Sequence, residues 1–240
     1  MFRTLLVCCF AFLFQGCGFL LYPGNISLPH LEEAGELQVQ ANGALSTAGI
    51  GAQAQIAYAL NDRWGVQSSA QFLTNPQFNA PAYDRIFGAE AAVMRLLKPE
   101  SPRHHGSTYV LQAGLGYSRS KLDFSFNPSF DFRQTHFFVQ AHGRSMVGQY
   151  LGFSFGLRLG TSTQYWLQAP VRPIGSRIIA PAVDYLNAQP LFIIATPLLQ
   201  GEYDMGSYVF TLTIQPSYVL NERNLTPPSA PITFGARWQL

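Results

Sequence analysis

Pro231-Ile232-Thr233-Phe234-Gly235-Ala236-Arg237-Trp238-Gln239-Leu240 ends the chain, and its reading decides the fold. From Ile232 the side chains alternate without a break. Ile232, Phe234, Ala236, Trp238 and Leu240 share one face, and Thr233, Gly235, Arg237 and Gln239 share the other. A period of two is that of a strand. The apolar face carries an aromatic near its end, and the polar face carries a charge.

Working back, the same alternation recurs. Tyr208–Val219 sets Phe210, Leu212 and Ile214 against Thr211, Thr213 and Gln215. Tyr150–Thr161 is the most regular, with Phe153, Phe155 and Leu157 against Ser154, Gly156 and Arg158. Further strands are predicted over about 35–46, 51–60, 64–73, 108–124, 132–146 and 191–203. Pro197 removes a ladder donor, so a bulge or break is expected there. The segment 85–97 is the least regular, and its Ala, Glu, Met, Arg and Leu leave a helix open. With it the count is ten, and the alternative is an eight-stranded barrel in which this region or the Pro197 region does not span.

Among 240 residues only 12% are charged and 14% are aromatic, against a usual charged share of about 25%. After the first 22 residues no stretch is apolar for the ~18 positions that a spanning helix needs. Low charge, many aromatics and alternating short segments fit a transmembrane barrel, where lipid-facing and lumen-facing residues alternate. A net charge of +2 gives no footprint for nucleic acid. A soluble lipocalin-like barrel is the rival, and it would turn the apolar faces inward.

The ending also resembles the C-terminal assembly signal of Gram-negative outer-membrane β-barrels, at Thr233, Gly235, Trp238 and Leu240, with Leu in place of the commoner Phe. The resemblance implies an antiparallel up-and-down barrel, inserted by the barrel-assembly machinery and surrounded by outer-membrane lipids. All three cysteines, Cys8, Cys9 and Cys17, precede the barrel, so no disulfide framework is possible in it. Residues 1–16 read as a signal peptide, with Arg3 before an apolar core. Phe14-Gln15-Gly16-Cys17 resembles a lipoprotein cleavage box, which implies lipidation at Cys17. Residues 17–34 are then expected to be a linker, and 35–240 the barrel.

With both termini periplasmic, the turns after strands two, six and eight should be short, and the loops after strands three, seven and nine long. They are, whereas 98–107 is long for an inside turn. Tyr58, Trp64, Tyr109, Tyr150, Tyr203, Tyr208 and Trp238 fall at the periplasmic strand ends, as an interfacial girdle requires. Phe72, Phe87, Tyr117 and Phe137 fall at the other ends.

Little in the chain suggests catalysis. Gly152-Phe153-Ser154-Phe155-Gly156 matches the letters of a nucleophile elbow, but that motif needs a sharp strand-to-helix turn, and this one lies inside a strand. His136 and His142 are about 20 Å apart along a strand, too far to share a metal. His104-His105 reads as a solvated turn. No cofactor and no metal are expected. The luminal face carries Glu36, Glu90, Glu202, Arg144, Arg158 and Arg237 among glutamines and glycines. Ions in a tight lumen must be paired, and Arg237 with Glu36 is the preferred pair. The expected function is a structural or surface-interaction barrel with a filled lumen. Its candidate partner loops are 164–189 first and 221–230 second. A narrow channel and an outer-membrane lipid hydrolase are the alternatives.

Overall fold

The structure, a computed structural model, describes residues 28–46, 49–74, 82–97, 108–124, 127–168, 191–206, 208–221 and 232–239. The expected signal peptide, Cys17, His104-His105, nearly all of loop 221–230 and most of loop 164–189 lie outside them.

Among the described residues eleven strands are present: β1 (Leu37–Ser46), β2 (Gly49–Ala59), β3 (Trp64–Thr74), β4 (Ala82–Leu97), β5 (Thr108–Phe124), β6 (Asn127–Val147), β7 (Leu151–Gln168), β8 (Leu191–Asp204), β9 (Tyr208–Ile214), β10 (Tyr218–Val219) and β11 (Ile232–Gln239). Each pairs antiparallel with its neighbour, and β11 closes the barrel between β1 and β9. β10 continues β9 in the same register against β8, so the barrel has ten staves. The eight-stranded alternative is excluded, because β4 and β8 both span. β4 is a strand despite its helical composition. It carries Glu90, Ala92 and Met94 inward and Phe87, Ala91 and Val93 outward, between two strands that need partners.

The Pro197 expectation is corrected. β8 runs unbroken through Pro197, and the interruption falls opposite, at Gln215–Ser217. The β8–β9 and β8–β10 registers set Pro197 against Pro216. Leu220 N donates to Ile193 O and Met205 N to Tyr208 O, which places 197 and 216 at a hydrogen-bonded pair site. Neither proline has an N–H, so the two missing bonds are those the residues would have exchanged with each other.

Following paired residues from Val39 through Ile56, Ser68, Ala91, Leu115, Phe137 and Thr161 reaches Ile193 on β8. Going the other way, through Trp238 and Tyr208, reaches Met205, 12 residues along from Ile193. That stagger is what tilts the strands by about 40°. Two ends follow. The turn end holds Asn61–Arg63, Gly148–Tyr150 and the terminus of β11. At the loop end β5, β6 and β7 reach 17, 21 and 18 residues, beyond the ~9–11 that cross a bilayer. Residues 164–168, expected in a loop, therefore belong to β7.

Burial is inverted relative to a soluble protein. Phe137 is 65%, Leu115 58% and Phe155 57% exposed, whereas Arg237, Gln134 and Gln38 are at most 1% exposed. Exposed apolar residues belt every stave, and most inward positions carry amides, hydroxyls or ions, with a few apolar side chains such as Phe138, Phe192 and Met94 among them. The lipocalin-like rival requires the reverse and is excluded. An apolar surface wrapping the barrel is at home in hydrocarbon, and full closure leaves no unpaired edge there.

Candidate functional site

The interior is built from inward positions two residues apart along each stave. Among the described residues two ion clusters occupy it. In the first, Arg158 Nη1 donates to Glu90 Oε1 at 3.0 Å and Nη2 to Oε2 at 3.1 Å, a forked pairing. Arg158 Nε donates to Gln140 Oε1 at 3.0 Å, and its guanidinium lies 3.7 Å from the centre of the Phe138 ring. His136 Nε2 is 2.7 Å from Glu90 Oε1. Gly116 leaves the room for this contact, since a Cβ there would lie 2.1 Å from His136 Nε2.

The second cluster surrounds Glu202, nearer the turn end. Arg237 Nη2 donates to Oε2 at 2.9 Å, and Arg144 Nε lies 2.9 Å from the same oxygen. Gln200 Nε2 donates to Oε1 at 2.8 Å, and Ser154 Oγ donates to it at 3.0 Å. Two arginines thus flank one carboxylate. Towards the rim Arg144 also faces Asp204 at 4.0 Å and Glu32 at 3.5 Å.

The expected Arg237–Glu36 pair is corrected, and the register gives the reason. Arg237 stands level with Gln40 on β1 and with Val209 on β9, four residues above Glu36, or about 13 Å. Glu202 is within reach across the curved wall. Glu36 instead accepts from the backbone N–H groups of Glu32 and Glu33 and from Gln38 Nε2 at 3.0 Å. It holds the turn that leads into β1.

Nothing in the alternation marked the other component of this site. Residues 28–31, expected to belong to a linker, lie inside the barrel and are buried. Leu31 packs with Ala57, Ala59, Met94, Leu96 and Val110, and Leu28 packs with Leu198. His30 N donates to Gln38 Oε1 at 3.0 Å, and Gln38 Nε2 donates back to His30 O. Pro29 O lies 3.1 Å from His142 Nε2. His30 Nε2 lies 2.8 Å from Ser154 Oγ and 3.3 Å from Glu202 Oε1. Two leucines next to the first strand were the available signal, since a linker in water has no use for them.

Ser154, His30 and Glu202 superficially match a catalytic triad. In a triad the acid holds Nδ1 while Nε2 serves the nucleophile. Here both partners crowd Nε2, and Nδ1 has Thr108 Oγ1 at 3.4 Å. All three side chains are sealed from solvent, with Ser154 and His30 at 0% exposure and Glu202 at 3%. The arrangement is a structural junction.

On the outer wall at the turn end, Tyr58, Trp64, Tyr109, Tyr150, Tyr203 and Tyr208 are exposed, and Trp238 is half-buried. Tyr150 and Tyr203 have ring centres 6.3 Å apart, and Tyr208 and Trp238 6.2 Å. Arg95 lies 5.9 Å from the centre of the Trp64 ring.

No family model and no curated protein sequence matches the chain. Among solved structures, it is similar to an outer-membrane channel from Pseudomonas putida F1, at 7% identity and a TM-score of 0.46 over 92% of this chain and 100% of that one. It is also similar to the N-terminal β-barrel domain of Pseudomonas aeruginosa OprF, at 9% identity and a TM-score of 0.43 over 86% of this chain and 98% of that one. A third is Neisserial surface protein A, at 15% identity and 0.35 over 85% and 95%. The barrel's own geometry carries the assignment. An even number of tilted antiparallel strands, an apolar outer belt and a polar interior form the outer-membrane architecture, and the chain is an outer-membrane β-barrel.

Proposed function

We propose that this barrel is a non-conducting, non-enzymatic stand, anchored in outer-membrane lipid, that presents the projecting ends of β5, β6 and β7 and the adjoining loops to an extracellular partner. One observation carries the reading. The turn-end mouth is filled by the chain's own Leu28–Leu31, held against Glu202, Arg144 and Arg237, and every one of those residues is buried. A conduit needs a continuous wetted path, and this cross-section offers none. The Tyr and Trp residues at the turn end serve as the girdle that sets the depth of the barrel. Recognition falls to the loop end, with 164–189 as the first candidate surface, because loops on a rigid scaffold are where binding concentrates.

Planar-bilayer recording tests the reading. The intact chain is expected to give no steady single-channel steps. Stable, ion-selective steps altered by Arg158→Ala would overturn it and favour the second reading, a narrow channel. That reading has one observation in its favour. Gln55, Gln67, Ser69, Gln71 and Gln112 each bury a polar side-chain atom without a hydrogen-bond partner along one luminal wall.

A further inference from the structure

On the outer wall of β4, β5 and β6, charge is confined to the ends. The outward positions from Phe87 to Val93, from Leu111 to Tyr117 and from Thr135 to Ala141 carry none. Above them, towards the loop end, stand Arg85, Arg119 and Arg133, all exposed. Ten residues below these on the same three strands lie Arg95 beside the Trp64 ring, then Tyr109, and Gly143, which is paired with Tyr109. Ten residues span about 33 Å along a strand, and about 25 Å along the barrel axis at a tilt of about 40°. That is the height of the apolar band of an outer-membrane barrel. The three arginines therefore stand at headgroup level in the loop-side leaflet, opposite the turn-end girdle.

They also stand together around the wall. Arg119 is paired with Arg133 across β5 and β6, and with Phe87, two residues from Arg85, across β4 and β5. Paired rows climb towards the loop end from β4 to β6, by about 3 Å per stave at this tilt. Relative to Phe87, the positions Arg119, Arg85 and Arg133 are then about 3, 5 and 6 Å higher, close to one depth. Like charges directly opposite each other on a ladder repel. Asp131 offsets one of them, since Arg119 Nε donates to its carboxylate oxygens at 3.0 and 3.1 Å. Among the described residues Arg85 and Arg133 have no acidic partner. Three cations against one carboxylate leave a surplus of two positive charges.

We infer that Arg85, Arg119 and Arg133 form a binding site for the headgroup of a lipid that carries a phosphomonoester. Such a group has a charge of about −1.5 to −2 and three strong acceptor oxygens, which matches the surplus. A guanidinium meets phosphate oxygens through two parallel N–H donors, and the phosphate would screen Arg119 from Arg133. A phosphodiester, with one negative charge, would leave half the surplus. The wall beneath points to a lipid and not to free phosphate. Phe87, 49% exposed, and Phe137, 65% exposed, lie just below the cations and offer acyl chains an apolar surface. The inference goes beyond the proposed function and fails separately from it, because a conducting barrel could keep this site and a closed one could lack it.

The test is native mass spectrometry of the full chain, folded in detergent and titrated with diphosphoryl lipid A. One tightly bound lipid per barrel is expected. The same lipid with its phosphates removed, and phosphatidylglycerol, a phosphodiester, are each expected to bind at least about tenfold more weakly. Arg85→Gln combined with Arg133→Gln is expected to weaken the phosphorylated lipid by a similar factor, whereas Arg95→Gln, at the turn end of β4, should bind as the parent does. Equal affinity for phosphorylated and dephosphorylated lipid overturns the inference, and this comparison needs only the parent chain. Equal affinity of the double variant and the parent, or an equal loss in Arg95→Gln, overturns it too. Phosphatidylglycerol binding as tightly as diphosphoryl lipid A overturns the choice of a phosphomonoester. Complete displacement of the lipid by millimolar inorganic phosphate overturns the assignment to a lipid.

Discussion

Glu90 and Glu202 are both buried carboxylates, but they do different work. Glu90 meets Arg158 in a forked pair, with the guanidinium backed by Phe138. Glu202 is shared by Arg144 and Arg237 and also touches the plug through His30. One cluster braces the wall. The other is a junction where β6, β8, β11 and the N-terminal segment converge, and the rim carboxylates Asp204 and Glu32 help offset its surplus positive charge.

Substitutions can break this contrast. Glu202→Gln is expected to be the most damaging, because it takes the carboxylate from buried Arg237 and leaves Arg144 the more distant Asp204 and Glu32. A loss of about 5 kcal/mol is expected in urea unfolding from lipid vesicles, the upper end of the range for a broken buried pair. Glu90→Gln strands only one arginine, which keeps Gln140 and the Phe138 ring, so about 3 kcal/mol is expected. An equal cost at both sites would refute the contrast. His30→Ala removes the side-chain contacts of the plug with Ser154 and Glu202, keeps its backbone pair with Gln38 and leaves Glu202 its arginines, with about 2 kcal/mol expected. Limited proteolysis should then cut near Glu33 faster than in the parent chain. Ser154→Ala loses one neutral donor to an already well-bonded carboxylate, with about 1 kcal/mol expected. If Ser154→Ala abolished a lipid-hydrolysing activity without lowering stability, the structural role given to this serine would be wrong.

How much of this was legible depended on periodicity. Wherever one face is lipid and the other lumen, alternation is enforced, and β7 and β11 could be read residue by residue. β4 was blurred because Ala89, Ala91 and Ala92 sit on both faces, and alanine carries little contrast. The break at Gln215–Ser217 was invisible from Pro197 alone, since the cost of a missing donor depends on what stands opposite, and that is fixed by register. The pairing of Arg237 escapes the sequence for the same reason: closure of the barrel makes β1 and β11 neighbours, but the four-residue offset between Arg237 and Glu36 is set by register. The plug is non-periodic, and its burial comes from tertiary contacts such as Leu31 with Met94 and His30 with Gln38. No local pattern encodes those.

The central claim is that the barrel is inside out, with hydrocarbon against Phe153, Phe155 and Leu157 and a closed polar interior behind them. Spin labels placed singly at each position from 151 to 162 on β7, in lipid vesicles, test it most directly through their collisions with dissolved oxygen. The account expects a period of two, with high oxygen accessibility at 151, 153, 155, 157 and 159 and low values at 152, 154, 156 and 158. The opposite phase, or no alternation, would contradict it.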